Sequence, residues 1–170
     1  VEDGPKGVAL RLSRSHPKFL VKLFENEAPE LAAGTIEIRA VAREAGSRSK
    51  VAVFSNDSYI DPVGSLVGQR GVRVATVTSE LGGEKIDVIE WSDDIKTFIE
   101  DALSPAKIIS VDTDEENRQA KVVVSEAQQS LAIGKGGQNV RLAAKLTGWR
   151  IDISSIKGED LGSAEGEAVA

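Results

Sequence analysis

Apolar positions along the chain alternate, then recur every three or four residues, then alternate again, and the cycle runs twice. After a start containing Gly and Pro, Val8 to Leu12 alternates well enough to form one short strand. From Ser13 to Leu31 the period becomes helical. Phe19, Leu20, Leu23 and Phe24 form one stripe, Ser15 is placed to cap the helix, and Pro17 suits its first turn. Pro29 either lies near the end of this helix or starts a short further turn. Ile36 to Val41 and Ser49 to Phe54 alternate on either side of a turn at Gly46, which predicts an antiparallel hairpin. Asp61 as cap and Pro62 in the first turn open a short helix that Gly68 ends. A second helix from Val72 to Leu81 buries Val74, Val77, Thr78 and Leu81 and stops at Gly82-Gly83, and Ile86 to Ile89 is the closing strand. In the second cycle, Ser92-Asp93-Asp94 caps a helix with Ile95, Phe98, Ile99, Ala102 and Leu103 on one face, closed by Pro105. Ile108 to Val111 and Lys121 to Val124 are strands flanking an acidic turn, Asp112 to Asn117. Ala127 to Ile133 is the short helix, Gln138 to Leu146 the longer one, and Arg150 to Ile153 the last strand. Residues 155–170 are rich in Gly, Ala and Glu and predict a disordered tail.

The two cycles are an internal repeat. Gly68 and Gly134 are 66 positions apart, and Ile86-Asp87-Val88 and Ile151-Asp152-Ile153 are 65 apart. In each, a pair of helices connects the last two strands. Such a crossover lets those strands lie parallel, with both helices on one face of the sheet. The fold class expected is α+β, an α/β sandwich of two tandem units over residues 13–91 and 92–154. Each unit is a three-stranded mixed sheet with helices packed on one face. The step from Ile89 to the helix at Asp94 is too short for the units to tumble independently.

Between the paired helices lies the same turn. The first reads Leu66-Val67-Gly68-Gln69-Arg70-Gly71-Val72-Arg73, and the second Ala132-Ile133-Gly134-Lys135-Gly136-Gly137-Gln138-Asn139. An aliphatic residue precedes the first glycine, a cation stands inside the turn, and a helix follows. Gly-x-x-Gly at this place is the signature of KH domains, whose loop clamps the backbone of a single strand of nucleic acid. The unit order is that of type II KH domains. Glycine permits the bend and leaves no side chain in the way of an incoming backbone. The next helix presents unpaired N–H groups to a phosphate. Val67 and Ile133, with Val74, Val140 and the edge of the closing strand, would line a trough for unstacked bases.

Composition narrows the possibilities. The 170 residues are 41% apolar with no Cys and no Met, which rules out disulfides and thiolate metal sites. No apolar run approaches membrane-spanning length and the first residues are no signal peptide, so a cytoplasmic protein without membrane contact is expected. The absence of an initiator Met suggests a fragment or a processed chain. Net charge is −6, which at face value argues against nucleic acid. Its distribution is uneven: eleven acids face three bases between Glu84 and Glu116, whereas residues 117–156 hold six bases and two acids. A local basic face is what phosphate attraction requires. The acidic middle and tail leave open an alternative, a protein-interaction scaffold for a basic partner.

Catalytic candidates are few. His16, the lone histidine, has no Ser, Asp or Cys motif around it, so neither catalysis nor a metal site is expected, and no cofactor is. Gly134-Lys135-Gly136 lacks the Gly-x-x-x-x-Gly-Lys-Ser/Thr spacing of a nucleotide-hydrolysing loop. Trp91 and Trp149 adjoin strand ends and read as packing residues. Asp87 and Asp152 either accept from a base or cap local backbone.

Ser13-Arg14-Ser15-His16-Pro17, Asp61-Pro62-Val63-Gly64, Gly82-Gly83-Glu84-Lys85-Ile86-Asp87, Leu103-Ser104-Pro105-Ala106 and the run Ala132 to Ala143 together resemble the tandem KH region of the NusA family. The Gly-Gln-Asn-x-Arg-Leu-Ala run, followed by Leu146-Thr147-Gly148-Trp149, is the most specific part. The resemblance covers about residues 8–154. It implies a bacterial transcription elongation, termination and antitermination factor acting on nascent RNA, with RNA polymerase as a partner that cannot be placed on any residue here. Residues 1–12 would then be the end of the family's preceding RNA-binding barrel, or a linker. The chain is expected to be a monomer. The residues expected to face RNA are Pro62, Val67, Gly68, Gln69, Arg70, Gly71, Val72 and Arg73 at the first turn. At the second they are Ile133, Gly134, Lys135, Gly136, Gly137, Gln138, Asn139 and Arg141. Ile86, Asp87, Ile151 and Asp152 on the closing strands, and Arg48 and Lys50 on the first hairpin, complete the set.

Overall fold

A computed structural model of the chain describes residues 1–157 and 160–166. The first twelve residues do not form the single strand that alternation predicts. They make a hairpin, β1 (Glu2–Gly4) against β2 (Gly7–Ala9), while Leu10 and Leu12 stay exposed. A two-stranded ribbon without a covered face has little apolar burial to hold it.

The first unit opens with α1 (Pro17–Glu27), which is shorter than the sequence suggests. Its cap is His16 rather than Ser15: the ring Nδ1 accepts from the Lys18 N–H at 3.1 Å. Pro29 starts a separate turn of helix, α2 (Pro29–Ala32). The hairpin β3 (Ile36–Glu44) and β4 (Arg48–Ser55) is antiparallel. Next come α3 (Pro62–Val67), capped by the Asp61 carboxylate, and α4 (Val72–Glu80). The strand β5 (Lys85–Glu90) lies parallel to β4, giving the sheet order β3-β4-β5.

The second unit repeats this plan with α5 (Ile95–Ala102), β6 (Ser110–Asp114), β7 (Gln119–Val124), α6 (Gln129–Ile133), α7 (Gln138–Thr147) and β8 (Arg150–Ser155). β7 and β8 are again parallel. Strand β6 lies further along the chain than predicted and takes in Asp112, Thr113 and Asp114 of the expected acidic turn.

The predicted disordered tail is corrected in part. Residues 160–164 form β9 (Asp160–Ala164), antiparallel to β8, so the second sheet has four strands. Its Leu161 and Ala164 pack on the core, a tertiary gain that composition alone does not register. Residues 158–159 and 167–170 of the predicted tail lie outside the described residues.

One core belongs to the first unit, around Leu20, Phe24, Ile36, Val51, Val53 and Leu66. The other is shared: Ala42, Ala52 and Ile89 of the first sheet are buried with Phe98, Leu103, Leu142 and Ile151 of the second unit. Each large aliphatic side chain so enclosed contributes about 1.5–3 kcal/mol. Through this shared core α7 lies against the outer face of β3 and β4 and holds the units as one body.

Candidate nucleic-acid interface

The two turns are built alike to within a few degrees. Gly68 and Gly134 have φ/ψ of 79°/168° and 76°/168°. Arg70 and Gly136 follow at 54°/24° and 61°/23°, then Gly71 and Gly137 at 74°/18° and 73°/13°. Only the first glycine of each is crowded by protein. A Cβ on Gly134 would lie 2.7 Å from the Asn139 backbone nitrogen, and one on Gly68 would lie 2.7 Å from Arg73 Cγ. Above Gly136 there is nothing within 4 Å, and a Cβ on Gly71 would reach only Val74, at 3.8 Å. The far side of each loop is thus open to an incoming chain.

Helices α4 and α7 begin at Gly71 and Gly137 without any side-chain cap. The N–H of Val72 and that of Gln138 turn back onto the Gln69 and Lys135 carbonyls, so the turn and the helix start form one unit with the positive end of the helix dipole behind it. Arg70 and Lys135 project from the turns, both exposed and without an ion-pair partner among the described residues. Gln69 is exposed, Val72 is 60% exposed, and Val67, Ile86, Gly137 and Gln138 are half-buried beside them.

Several residues expected to face RNA make contacts within the scaffold. Lys50 is corrected: none of it is exposed, and its ammonium bonds Asp87 Oδ2 and the Ser104 carbonyl, both at 2.9 Å. Burial pushes this lysine down to about 8, although Asp87 partly restores it. Arg48 also donates to Asp87 Oδ2, at 2.9 Å, so Asp87 serves two strand cations. Arg73 spans from Ser65 O (2.6 Å) to Glu30 (2.8 Å). Asn139, its counterpart, is fully buried and donates to Leu103 O and Ala132 O, leaving its Oδ1 without a partner. Each ties its α-helix back across the turn and so fixes the bend. Pro62 is buried at the start of α3, and Ile151 is wholly inside the second core. Arg141 pairs with Glu44 at 2.6 Å and donates to Gly136 O at 3.0 Å. Asp152 accepts from Gln119 and Arg150, and β9 lies along its strand. Ile133 is half-buried, with Gly162 of β9 against it.

Glu44, Ser47 and Glu84 escape the sequence reading, yet they set the relation between the turns. Ser47 accepts at its Oγ from Gln138 Nε2 (2.7 Å) and at its carbonyl from the Lys85 N–H (3.0 Å). The start of β5 therefore adjoins the second loop. Glu84 is fully buried. Burial pushes its carboxyl up, but the Arg43 guanidinium, the Gly46 N–H and the Ser49 hydroxyl outweigh this and hold it below the usual range. The hairpin tip is thereby fixed in place. The doublet Gly82-Gly83 before Glu84 marks a turn, but no local pattern says that the carboxylate turns inward.

The acids of the 84–116 segment are partly engaged in the same way. Besides Glu84 and Asp87, Asp94 caps α5 and Asp114 holds Asn117. Among the described residues no cluster of three or more His, Cys, Asp or Glu could hold a metal ion, and no helix is long and apolar enough to cross a membrane. Trp91 stacks on Arg39 and meets Phe54 edge to face, and Trp149 is buried.

Comparisons with known proteins match both turns and the sheets around them. A family model described as the NusA-like first KH domain matches residues 14–91, and one described as the NusA-like second KH domain matches 95–160. The transcription termination/antitermination protein NusA of Bacillus subtilis is 54% identical over 155 residues, which is 91% of this chain and 42% of that protein. That of Halalkalibacterium halodurans is 50% identical over 171 residues, 100% of this chain and 45% of its own length. The solved structure of APE1850 is similar with a TM-score of 0.53 and 25% identity, covering 75% of this chain and 86% of that one. The chain spans less than half the length of the relatives it matches. With two KH units in tandem, each matched by its own family model, the chain belongs to the NusA family as its tandem KH region.

Proposed function

We propose that this region binds single-stranded RNA through both Gly-x-x-Gly loops, as the RNA-reading part of a transcription elongation, termination and antitermination factor acting on nascent RNA. The observation that carries the reading is the pair of matched turns, each open above its later glycines, each bearing an unpaired cation and each leading into an uncapped helix. Phosphates would meet the helix N–H groups and Arg70 or Lys135, and unstacked bases would lie against the neighbouring apolar positions. The bridge at Ser47 brings the β5 edge to the second loop, which supports one strand running across both units. RNA polymerase is the partner expected of the whole factor and is assigned to no residue here. The region would work as a monomer in the cytoplasm.

The test is a fluorescence-anisotropy titration with a short unpaired RNA, comparing the wild-type chain with Lys135→Asp/Gly136→Asp. Two carboxylates facing phosphate in place of one cation should cost about 2 kcal/mol or more, roughly thirtyfold in affinity. Gly136 is the safer site than Gly134, because a side chain there meets open space. Unchanged affinity, with an unchanged unfolding curve, would refute the reading.

A further inference from the structure

The two units differ at the edge that would read bases. In the first, β5 is the last strand of its sheet and its outer edge has no neighbouring strand among the described residues. In the second, the same edge of β8 is occupied by β9, with Ile151 opposite Ala164, Asp152 opposite Ser163 and Ile153 opposite Gly162. Strand β9 also reaches the loop: a methyl group placed on Gly162 would sit 3.7 Å from Ile133 Cδ1. Further along, Glu165 faces Arg150 at 3.5 Å. The segment thus brings backbone hydrogen bonds, apolar contact and a carboxylate to the place where an RNA strand would bring hydrogen bonds, bases and phosphates.

We infer that β9 is an exchangeable plug, which closes the second unit's base-reading edge in the free protein and is displaced when RNA occupies the second loop. This rests on the RNA reading above. The strand is suited to leaving. Its sequence, Asp160-Leu161-Gly162-Ser163-Ala164, has one large apolar residue, and Gly, Ser and Ala are weak strand formers. Leu161 is only half-buried, and the pairing slips register between Ile153 and Ser154. Occupancy by β9 lowers the second unit's apparent affinity in proportion to its open fraction. An edge open about 1% of the time binds about a hundredfold more weakly than one always open. Because no described residue plugs the first unit's edge, RNA should engage it first and the second afterwards.

Two measurements test this. The first is hydrogen exchange on the intact wild-type chain, with and without a short unpaired RNA long enough to span both loops. Exchange should slow at Gly136–Asn139 and quicken at residues 160–164. Slower exchange in β9 together with slower exchange in the loop would overturn the plug while leaving RNA binding intact. No slowing at either loop would instead refute the RNA reading itself. The second uses Gln69→Asp/Arg70→Asp to silence the first loop, with and without Leu161→Asp to undock β9. Undocking should raise affinity by about tenfold or more. An unchanged affinity would overturn the proposal, and a circular-dichroism melt tells that result from a failure to fold.

Discussion

Arg70 holds a left-handed backbone conformation, φ 54° and ψ 24°, where the second loop has Gly136 at φ 61° and ψ 23°. The same bend is therefore made once with a side chain and once without. A side chain in this region costs roughly 1–2 kcal/mol, because Cβ approaches the following carbonyl oxygen. Glycine avoids that strain but loses about 0.5–1 kcal/mol through the greater freedom of the unfolded chain. Arg70→Gly should thus stabilise the fold by about 0.5–1 kcal/mol. In a domain of this size that raises the melting temperature by about 2–3 °C. The side chain makes no hydrogen bond or ion pair among the described residues, so nothing in the fold offsets this gain. If Arg70 is retained for phosphate, the same variant should lose about 1–2 kcal/mol of RNA affinity, five- to thirtyfold. The salt dependence of binding should also weaken by about 0.7 in log–log slope, the loss of one neutralised phosphate on a single strand. Thermal melts and anisotropy titrations at two salt concentrations read both quantities, and Arg70→Lys keeps the charge and the strain as a control. A stabilised variant that binds RNA as well as the wild-type chain would refute the argument, as would a destabilised one.

Two further outcomes follow from the geometry. Gly134→Ala should cost about 2–4 kcal/mol, since it combines a positive φ with a methyl group driven against Asn139, while Gly136→Ala meets only the backbone term of about 1 kcal/mol; urea midpoints that shift equally would contradict this. Lys50 is lowered by burial from an ordinary 10.5 to about 8, so the unfolded chain holds the extra proton between those values and stability should rise as pH climbs from about 8 to 10.5, the cost being fully present below 8. Against Lys50→Met, denaturation should show the wild-type chain gaining of order 3 kcal/mol across that window, and parallel pH profiles would dismiss the idea.

Much of the fold is legible because it rests on local rules. Gly68 and Gly134 end helices, Asp61 and Asp94 cap them, and the strand–helix–helix–strand spacing forces a parallel pair. What is not legible depends on which second face becomes covered. Along β4 both Ser49 and Lys50 are buried, since one face lies under its own helices and the other under the second unit. Alternation cannot announce a strand enclosed on both sides, so Arg48 and Lys50 look like surface cations until the second unit is in place. Asn139 reads as a polar residue at a helix start and turns out to clamp two carbonyls from within the core. Strand β9 is invisible for the opposite reason, because only docking makes its small residues a strand.

The distribution of charge settles how an acidic chain can still be suited to nucleic acid. Among the described residues seven arginines are paired with carboxylates: Arg11 with Glu2, Arg39 with Glu37, Arg43 with Glu84, Arg48 with Asp87, Arg73 with Glu30, Arg141 with Glu44 and Arg150 with Asp152. These pairs largely cancel in the far field. Arg70 and Lys135 stand apart, each in a loop whose later glycines leave room for a backbone to come within hydrogen-bonding distance of a helix start. At that distance a single cation acts together with several N–H dipoles, whereas at a Debye length of about 8 Å it would be largely screened. On the proposed reading, attraction would be strong only for a strand slender enough to enter the bend. A net charge of −6 would then favour selectivity, because it weakens every contact except the close one.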